Sequence, residues 1–308
     1  MSTAVELQTQ RFDSGQPGPD LLITAGVHGD EHVPMQAVRD LIQHFREDAA
    51  LRQSLRGSVT LVPVVNESAF ARGHRCGSDN LDLARTCPGK PDGSVTEQTA
   101  HALSRLIESA DFYIDLHSGG TELSVFPLAG YVLHADRKIL ETQRAMARAF
   151  NLAFVWGTSA ELHGRSLSVA RDAGVPAIYM EYLGGISPSP EGRDAGAEGC
   201  LNVMSQLEML EREPPLCAVE EIIEDTRPQS GHMQICNPAP ITGFFEARVK
   251  LGDTVGVGDV LGSISSLAGD ETREVLSEQA GRVIVLRKYP RVNADESIGV
   301  IAEREAAT

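Results

Sequence analysis

Residues 21–48, LLITAGVHGDEHVPMQAVRDLIQHFRED, decide the fold. LLITAGV (21–27) is a short, unbroken apolar run, as expected of a strand buried on both faces. Gly26 and Gly29 follow closely and flank His28. Beyond them, VPMQAVRDLIQHFRED (33–48) repeats apolar positions at helical spacing. Strand, tight turn and helix are therefore expected in that order, and this unit builds α/β domains.

Two metal-binding patterns overlap in the turn. His28-x-x-Glu31-His32 would set two histidine ligands on one helix face with a glutamate base between them, whereas His28-x-x-Glu31 would supply two ligands to one ion. The first pattern needs a helix at His28, which the flanking glycines disfavour. A strand running into a turn lets His28 and Glu31 converge, with His32 pointing elsewhere and the helix starting near Glu31 or Val33.

SVTLVPVV (58–65), DFYIDLHS (111–118) and PAIYMEYL (176–183) read as further buried strands, and EQTAHALSRLIESA (97–110) as an amphipathic helix between two of them. The alternation implies an α/β domain with a mostly parallel central sheet, whose sites gather beyond the carboxyl ends of the strands. His117 ends one such strand and supplies a third ligand, giving a His2Glu set that suits a catalytic zinc, one per chain, with an open position for water. Asp115 points to the same side two residues earlier, either to orient a ligand or to make a structural hydrogen bond. Glu181 stands near the end of another apolar run, where an acid is costly unless it meets a metal or cation. It is read as the general base of a zinc hydrolase, against the plainer reading of a strand-end surface glutamate.

The chain of 308 residues carries 27 basic and 43 acidic side chains, a net charge of −16, which argues against nucleic acid or an anionic membrane as partner while leaving room for a local basic pocket. Residues 1–15 lack the basic start and apolar block of a signal peptide, and no apolar stretch approaches the length of a membrane span. Cys76, Cys87, Cys200, Cys217 and Cys236 form no CxxC pair, which fits a reduced, cytoplasmic setting. A homo-oligomer is left open.

Near residue 212 the texture changes. EREPPLCAVEEIIEDTRPQSG (211–231) reads as a linker or edge segment, and ARVKLGDTVGVGDVLGSISS (247–266) and EQAGRVIVLRK (278–288) read as short strands joined by tight turns. The expected division is a catalytic α/β domain over 1–212 and a linker with a β-rich C-terminal domain over 213–308. GDTVGVGDVL (252–261) resembles a lipoyl/biotinyl-type hairpin, but LSEQAGRV (276–283) occupies the place of the modified lysine, so a carrier role is not expected.

AGVHGDEH (25–32), NESAFARGHRCGSDNLDLARTCPG (66–89), DLHSGG (115–120), GVPAIYMEYLGG (174–185) and the β-rich tail, taken in this order, resemble the succinylglutamate desuccinylase/aspartoacylase family, relatives of the zinc carboxypeptidases. The resemblance implies a zinc-carboxypeptidase-like domain with zinc on His28, Glu31 and His117 and with Glu181 as general base. It implies Arg75 polarising the scissile carbonyl and Arg85 pairing with a substrate carboxylate through its planar fork. The family pattern Asp-Leu-Asn-Arg followed by Phe-Pro-Gly reads here Asp82-Leu83-Ala84-Arg85 followed by Thr86-Cys87-Pro88-Gly89, so Ala84 replaces an asparagine on the substrate side. Arg171, ahead of DAGVPAIYME (172–181), is a further substrate-side candidate, against the ordinary occurrence of exposed arginines on helices. The tail is implied to pack over the catalytic face and narrow the approach to the zinc. The expected activity is a zinc-dependent deacylase cleaving the amide of an N-acylated amino acid or similar small molecule. A metallocarboxypeptidase acting on short peptides, or a non-catalytic binding protein on the same scaffold, are the alternatives.

Overall fold

The expected buried strands form in their expected order, with two more between them. The computed structural model describes residues 5–228, 230–233 and 236–303. Its first eight strands are β1 (Gln10–Asp13), β2 (Asp20–Ala25), β3 (Ser58–Val62), β4 (Phe112–His117), β5 (Leu123–Val132), β6 (Phe154–Thr158), β7 (Ala177–Leu183) and β8 (Glu221–Glu224). They lie in the order β1-β3-β2-β4-β7-β5, and β6 and β8 continue outward from β5. The ladders β3-β2-β4-β7 and β5-β6-β8 are parallel, while β1–β3 and β5–β7 are antiparallel. The sheet is thus mixed and mostly parallel in this part of the chain. β8 lies in the segment expected as a linker or edge, and it forms the sheet margin.

Both faces are covered, which explains the unbroken apolar runs. Leu21 and Ile23 of β2 pack beneath helices His32–Glu47, Arg137–Phe150 and Pro190–Gln206. Leu22 of the same strand packs against helices Val95–Glu108 and Ser166–Ala173 on the opposite face. The helix His32–Glu47 starts one residue after Glu31, within the expected interval.

The remaining strands are β9 (Gly243–Ala247), β10 (Thr254–Val255), β11 (Val260–Ser265), β12 (Thr272–Leu276), β13 (Gly281–Arg287), β14 (Arg291–Val292) and β15 (Gly299–Ala302). A four-stranded sheet, β12-β11-β9-β14, packs Phe245, Leu261 and Ile264 against Val255, Val283 and Ile301 from β10, β13 and β15. β13 also pairs antiparallel with β5, Val285 opposite Val125, so the central sheet runs on into the C-terminal part. Both Lys288 and Tyr289 donate backbone N–H groups to the Glu122 carbonyl at this junction. Among the described residues no helix is long and apolar enough to cross a membrane. All five cysteines are free.

Candidate metal centre and active site

Parallel strands β2, β4 and β7 end at one edge of the sheet, and each delivers a site residue there. After β2 the chain turns at Gly26, whose φ of +72° lies in the left-handed region that glycine accommodates. Gly29 lies against the backbone of Ala69, since a Cβ at Gly29 would come within 2.0 Å of the Ala69 carbonyl carbon. Between these glycines His28 is held over the sheet edge, and the Glu31 N–H closes the turn on the His28 carbonyl at 3.4 Å. His32 has begun the helix and sets its ring edge-on to Phe70, away from the site.

Glu31 joins the two imidazoles. Its Oε1 lies 2.6 Å from His28 Nδ1 and its Oε2 lies 2.9 Å from His117 Nδ1, while the Ser118 backbone N–H donates to Oε2 at 3.3 Å. The outer nitrogen of each ring faces a second carboxylate: His28 Nε2 is 3.2 Å from Asp82 Oδ1, and His117 Nε2 is 3.1 Å from Asp115 Oδ2. Asp115, fully buried, also accepts from Thr24 and Ser166. Both histidines turn Nδ1 toward Glu31 and Nε2 toward an outer carboxylate that can accept a hydrogen bond from Nε2–H, the arrangement that makes an imidazole a better metal donor.

His28, Glu31 and His117 form a buried group that could hold a metal ion, with one ligand atom from each within 4.8 Å of the others. The donor set suits zinc: two imidazole nitrogens, one carboxylate and outer acceptors already in place. Electrostatics agree with a cation site. Burial opposes charge on Glu31, yet the two imidazoles outweigh it and hold the carboxyl far below the usual carboxylate range. Burial likewise disfavours a charged His117, but Asp115 and Glu31 outweigh it and raise the ring well above its ordinary value.

Glu181 in β7 sits opposite His117 in the parallel register. Its Oε2 is buried without a hydrogen-bond partner among the described residues. Burial, and then the charge of Glu31, push its carboxyl up to about 7. A proton-accepting group poised near neutrality beside a metal-type ligand set is what general-base chemistry needs.

A cavity of about 90 Å³ opens on these groups, and Arg75, Arg85 and Ala84 line it. Asp82 organises this wall. It caps the short helix Leu83–Arg85 by accepting from the Ala84 N–H at 2.9 Å, and it accepts from Arg75 Nε at 2.9 Å on its other oxygen. One carboxylate thus fixes His28 and Arg75 together. Gly231 and Met233, beyond the β8 margin, form part of the cavity wall, so the segment after 212 helps to narrow it.

Arg171, expected on the substrate side, does not line this cavity. It lies in the last turn of helix Ser166–Ala173, and its guanidinium donates to the carbonyls of Ala160 and Leu162 and meets His163, bracing that loop. Arg165, just ahead of the same helix, lines the cavity instead. Its Nε is buried without a partner among the described residues, and burial together with Arg85 pushes its pKa down to about 10. No sequence motif marks Arg165 beyond the glycine before it, Gly164. Gly164 has φ +79°, and a Cβ there would come within 2.7 Å of the Arg85 carbonyl oxygen, so the loop carrying Arg165 lies tight against the Arg85 turn. Asp82 was visible only as a motif letter, because its contact with His28 spans 54 residues.

Residues 17–207 match the sequence model of the succinylglutamate desuccinylase/aspartoacylase catalytic domain. The chain is 31% identical over 297 residues to the N-alpha-acetyl-L-2,4-diaminobutyric acid deacetylase of Halomonas elongata, an alignment covering 93% of this chain and 82% of that protein. The product-bound structure of the ectoine utilization protein EutE (DoeB) from Ruegeria pomeroyi superimposes with a TM-score of 0.80 at 27% identity, over 95% of this chain and 88% of that one. A succinylglutamate desuccinylase/aspartoacylase from Rhodobacter sphaeroides shares the fold with a TM-score of 0.85 at 24% identity, over 98% of this chain and 90% of its own. Similarity of this extent, along both the catalytic region and nearly the whole chain, makes the protein a member of the succinylglutamate desuccinylase/aspartoacylase family.

Proposed function

We propose that this protein is a zinc-dependent deacylase that hydrolyses the amide bond of an N-acylated amino acid or a similar small molecule. The observation that carries the reading is the buried Glu181 carboxyl, whose Oε2 has no partner among the described residues, beside the converging His28, Glu31 and His117 donors. The deacetylase from Halomonas elongata, aligned along nearly the whole chain, supports the same reaction class.

His28, Glu31 and His117 would hold the zinc, with Asp82 and Asp115 fixing the ring orientations. Zinc bound there would acidify a water and polarise the substrate carbonyl. Glu181 takes the proton of the attacking water and returns it to the leaving nitrogen, so that amide and water become a carboxylate and a free amine. Arg75, held by Asp82, donates to the carbonyl oxygen as negative charge develops on it. Arg85 and Arg165 bring positive charge to the end of the cavity where the substrate carboxylate binds.

Zinc content and release of free amine from N-acetyl, N-succinyl and N-formyl amino acids test this reading. Glu181→Gln is expected to keep its zinc and lose turnover by about 10²–10⁴-fold, whereas His117→Ala is expected to lose both. Full turnover in either variant would overturn it.

A further inference from the structure

We propose that Tyr179 is a substrate-binding residue whose hydroxyl donates a hydrogen bond to the carboxylate of the N-acyl amino acid, and that Gly130 exists to make room for its ring. The proposal rests on the deacylase reading above and names a contact that sets its specificity.

Tyr179 precedes Glu181 by two residues on β7, so the strand places both side chains on one face, and both line the cavity. Buried tyrosines normally find a partner for the hydroxyl. Tyr113 does so on Thr24 at 2.8 Å, and Tyr131 on Glu224 at 2.6 Å. Tyr179 is only half-buried: its ring packs against two apolar clusters, those holding Val132 and Leu128, while its hydroxyl, on the cavity wall, bonds to no described residue. Among these three tyrosines, the one on the cavity wall is the one left with a free donor. Burial, reinforced by Glu181, keeps the phenol protonated and therefore able to donate.

Gly130 is the register partner of Tyr179 across the antiparallel β5–β7 ladder. A Cβ at Gly130 would lie 2.2 Å from the ring Cζ and 2.5 Å from the hydroxyl oxygen. The ring lies directly over this glycine, and any side chain there would push the phenol out of place. Space, rather than backbone freedom, is the reason for glycine in the middle of this strand.

The group that the hydroxyl meets is indicated by its surroundings. Arg165 acts electrostatically on Tyr179; among the described residues its Nε has no partner and its guanidinium donates to the Gly231 carbonyl at 3.4 Å. Ala84 brings a methyl group to the same cavity and no hydrogen-bonding side chain. A cation and a neutral donor on one wall form a grip for a carboxylate, the cation supplying charge and the phenol a second directed bond.

Tyr179→Phe removes the hydroxyl and keeps the ring. With N-acetyl-L-alanine and N-alpha-acetyl-L-2,4-diaminobutyrate as substrates, KM is expected to rise about 10-fold or more with kcat nearly unchanged, the effect of losing a hydrogen bond to a charged group. With N-ethylacetamide and N-acetyl-1,3-diaminopropane, which lack the carboxylate, wild type and Tyr179→Phe should perform equally. An unchanged KM, or an equal penalty on the carboxylate-free amides, would overturn the proposal. Calorimetric binding of the two N-acetyl amino acids to Glu181→Gln and to Glu181→Gln/Tyr179→Phe gives the same comparison without turnover, and about 10-fold weaker binding to the double variant is expected. Equal binding to both would remove Tyr179 alone, whereas no binding to either would remove the deacylase reading together with it.

Discussion

His117 and Glu181 are register partners on the adjacent parallel strands β4 and β7. The sheet therefore sets a metal-type imidazole and a carboxyl whose Oε2 has no partner among the described residues side by side on paired strands, with no loop intervening. Three of the four residues of the candidate site come from neighbouring strand ends, and Glu31 reaches them from the turn that starts the first long helix. The geometry of this candidate site is inherited from strand pairing.

Glu181 bears a cost that pH should reveal in the metal-free protein. Burial first, and the charge of Glu31 second, raise its carboxyl from the ordinary 4.5 to about 7. The folded state then holds this proton more tightly than the unfolded chain does. Its contribution to stability is full below about 4.5 and is lost as pH rises through about 7. Metal-free Glu181→Gln should match metal-free wild type near pH 4 and exceed it at pH 8, by a quantity of the order of 3 kcal/mol. Urea unfolding midpoints with chelator at both pH values measure it, and a gain that does not change with pH would contradict it.

Asp82 should act on the metal without touching it. Its Oδ1 faces His28 Nε2 and its Oδ2 holds Arg75. Asp82→Asn weakens the acceptor for the ring N–H, and an affinity loss of about 10–100-fold for zinc is expected. Competition with a chromogenic chelator reads this directly; an unaltered zinc affinity would show that the aspartate merely caps the Leu83–Arg85 turn.

The two arginines beside Ala84 should separate in their kinetics. In the proposed reaction Arg75, which lines the cavity and is held by Asp82, donates to the developing oxyanion, so Arg75→Ala is expected to lower kcat by about 10²–10³-fold. Arg85 is proposed to pair with the ground-state carboxylate, so Arg85→Ala should chiefly raise KM. The opposite pattern in steady-state rates would exchange their roles.

Much of this site was legible because its residues sit where sequence patterns change. His28 lies between two glycines at a strand end, and His117 closes an apolar run, so the local pattern indicated which way each would face. Strand β5 was less readable. Pro127 and Gly130 interrupt its alternation, and its register with β7 shifts between Val125 and Leu128, where the proline is tolerated. β6 is short and buried throughout, so period alone could not separate it from helix. Arg165, just ahead of helix Ser166–Ala173, and Arg171, in its last turn, are six residues apart, and only tertiary packing decides which of them faces the cavity.

Gly29→Ala tests whether the turn is built for the site. The added methyl would meet the Ala69 backbone, which cannot yield as a side-chain tip could. Loss of about 1–3 kcal/mol of stability is expected, together with weaker zinc binding because His28 is displaced. Thermal melts with and without zinc check both effects, and a variant with undiminished zinc-induced stabilisation would show that the turn can relax without moving His28.

Anomalous diffraction at the zinc edge from crystals grown with zinc tests the central claim most directly. A single strong peak per chain between His28 Nδ1, His117 Nδ1 and the Glu31 carboxylate, next to Glu181, is the expected result. A protein that hydrolyses N-acyl amino acids while this position stays empty, or a zinc bound only elsewhere on the chain, would contradict it.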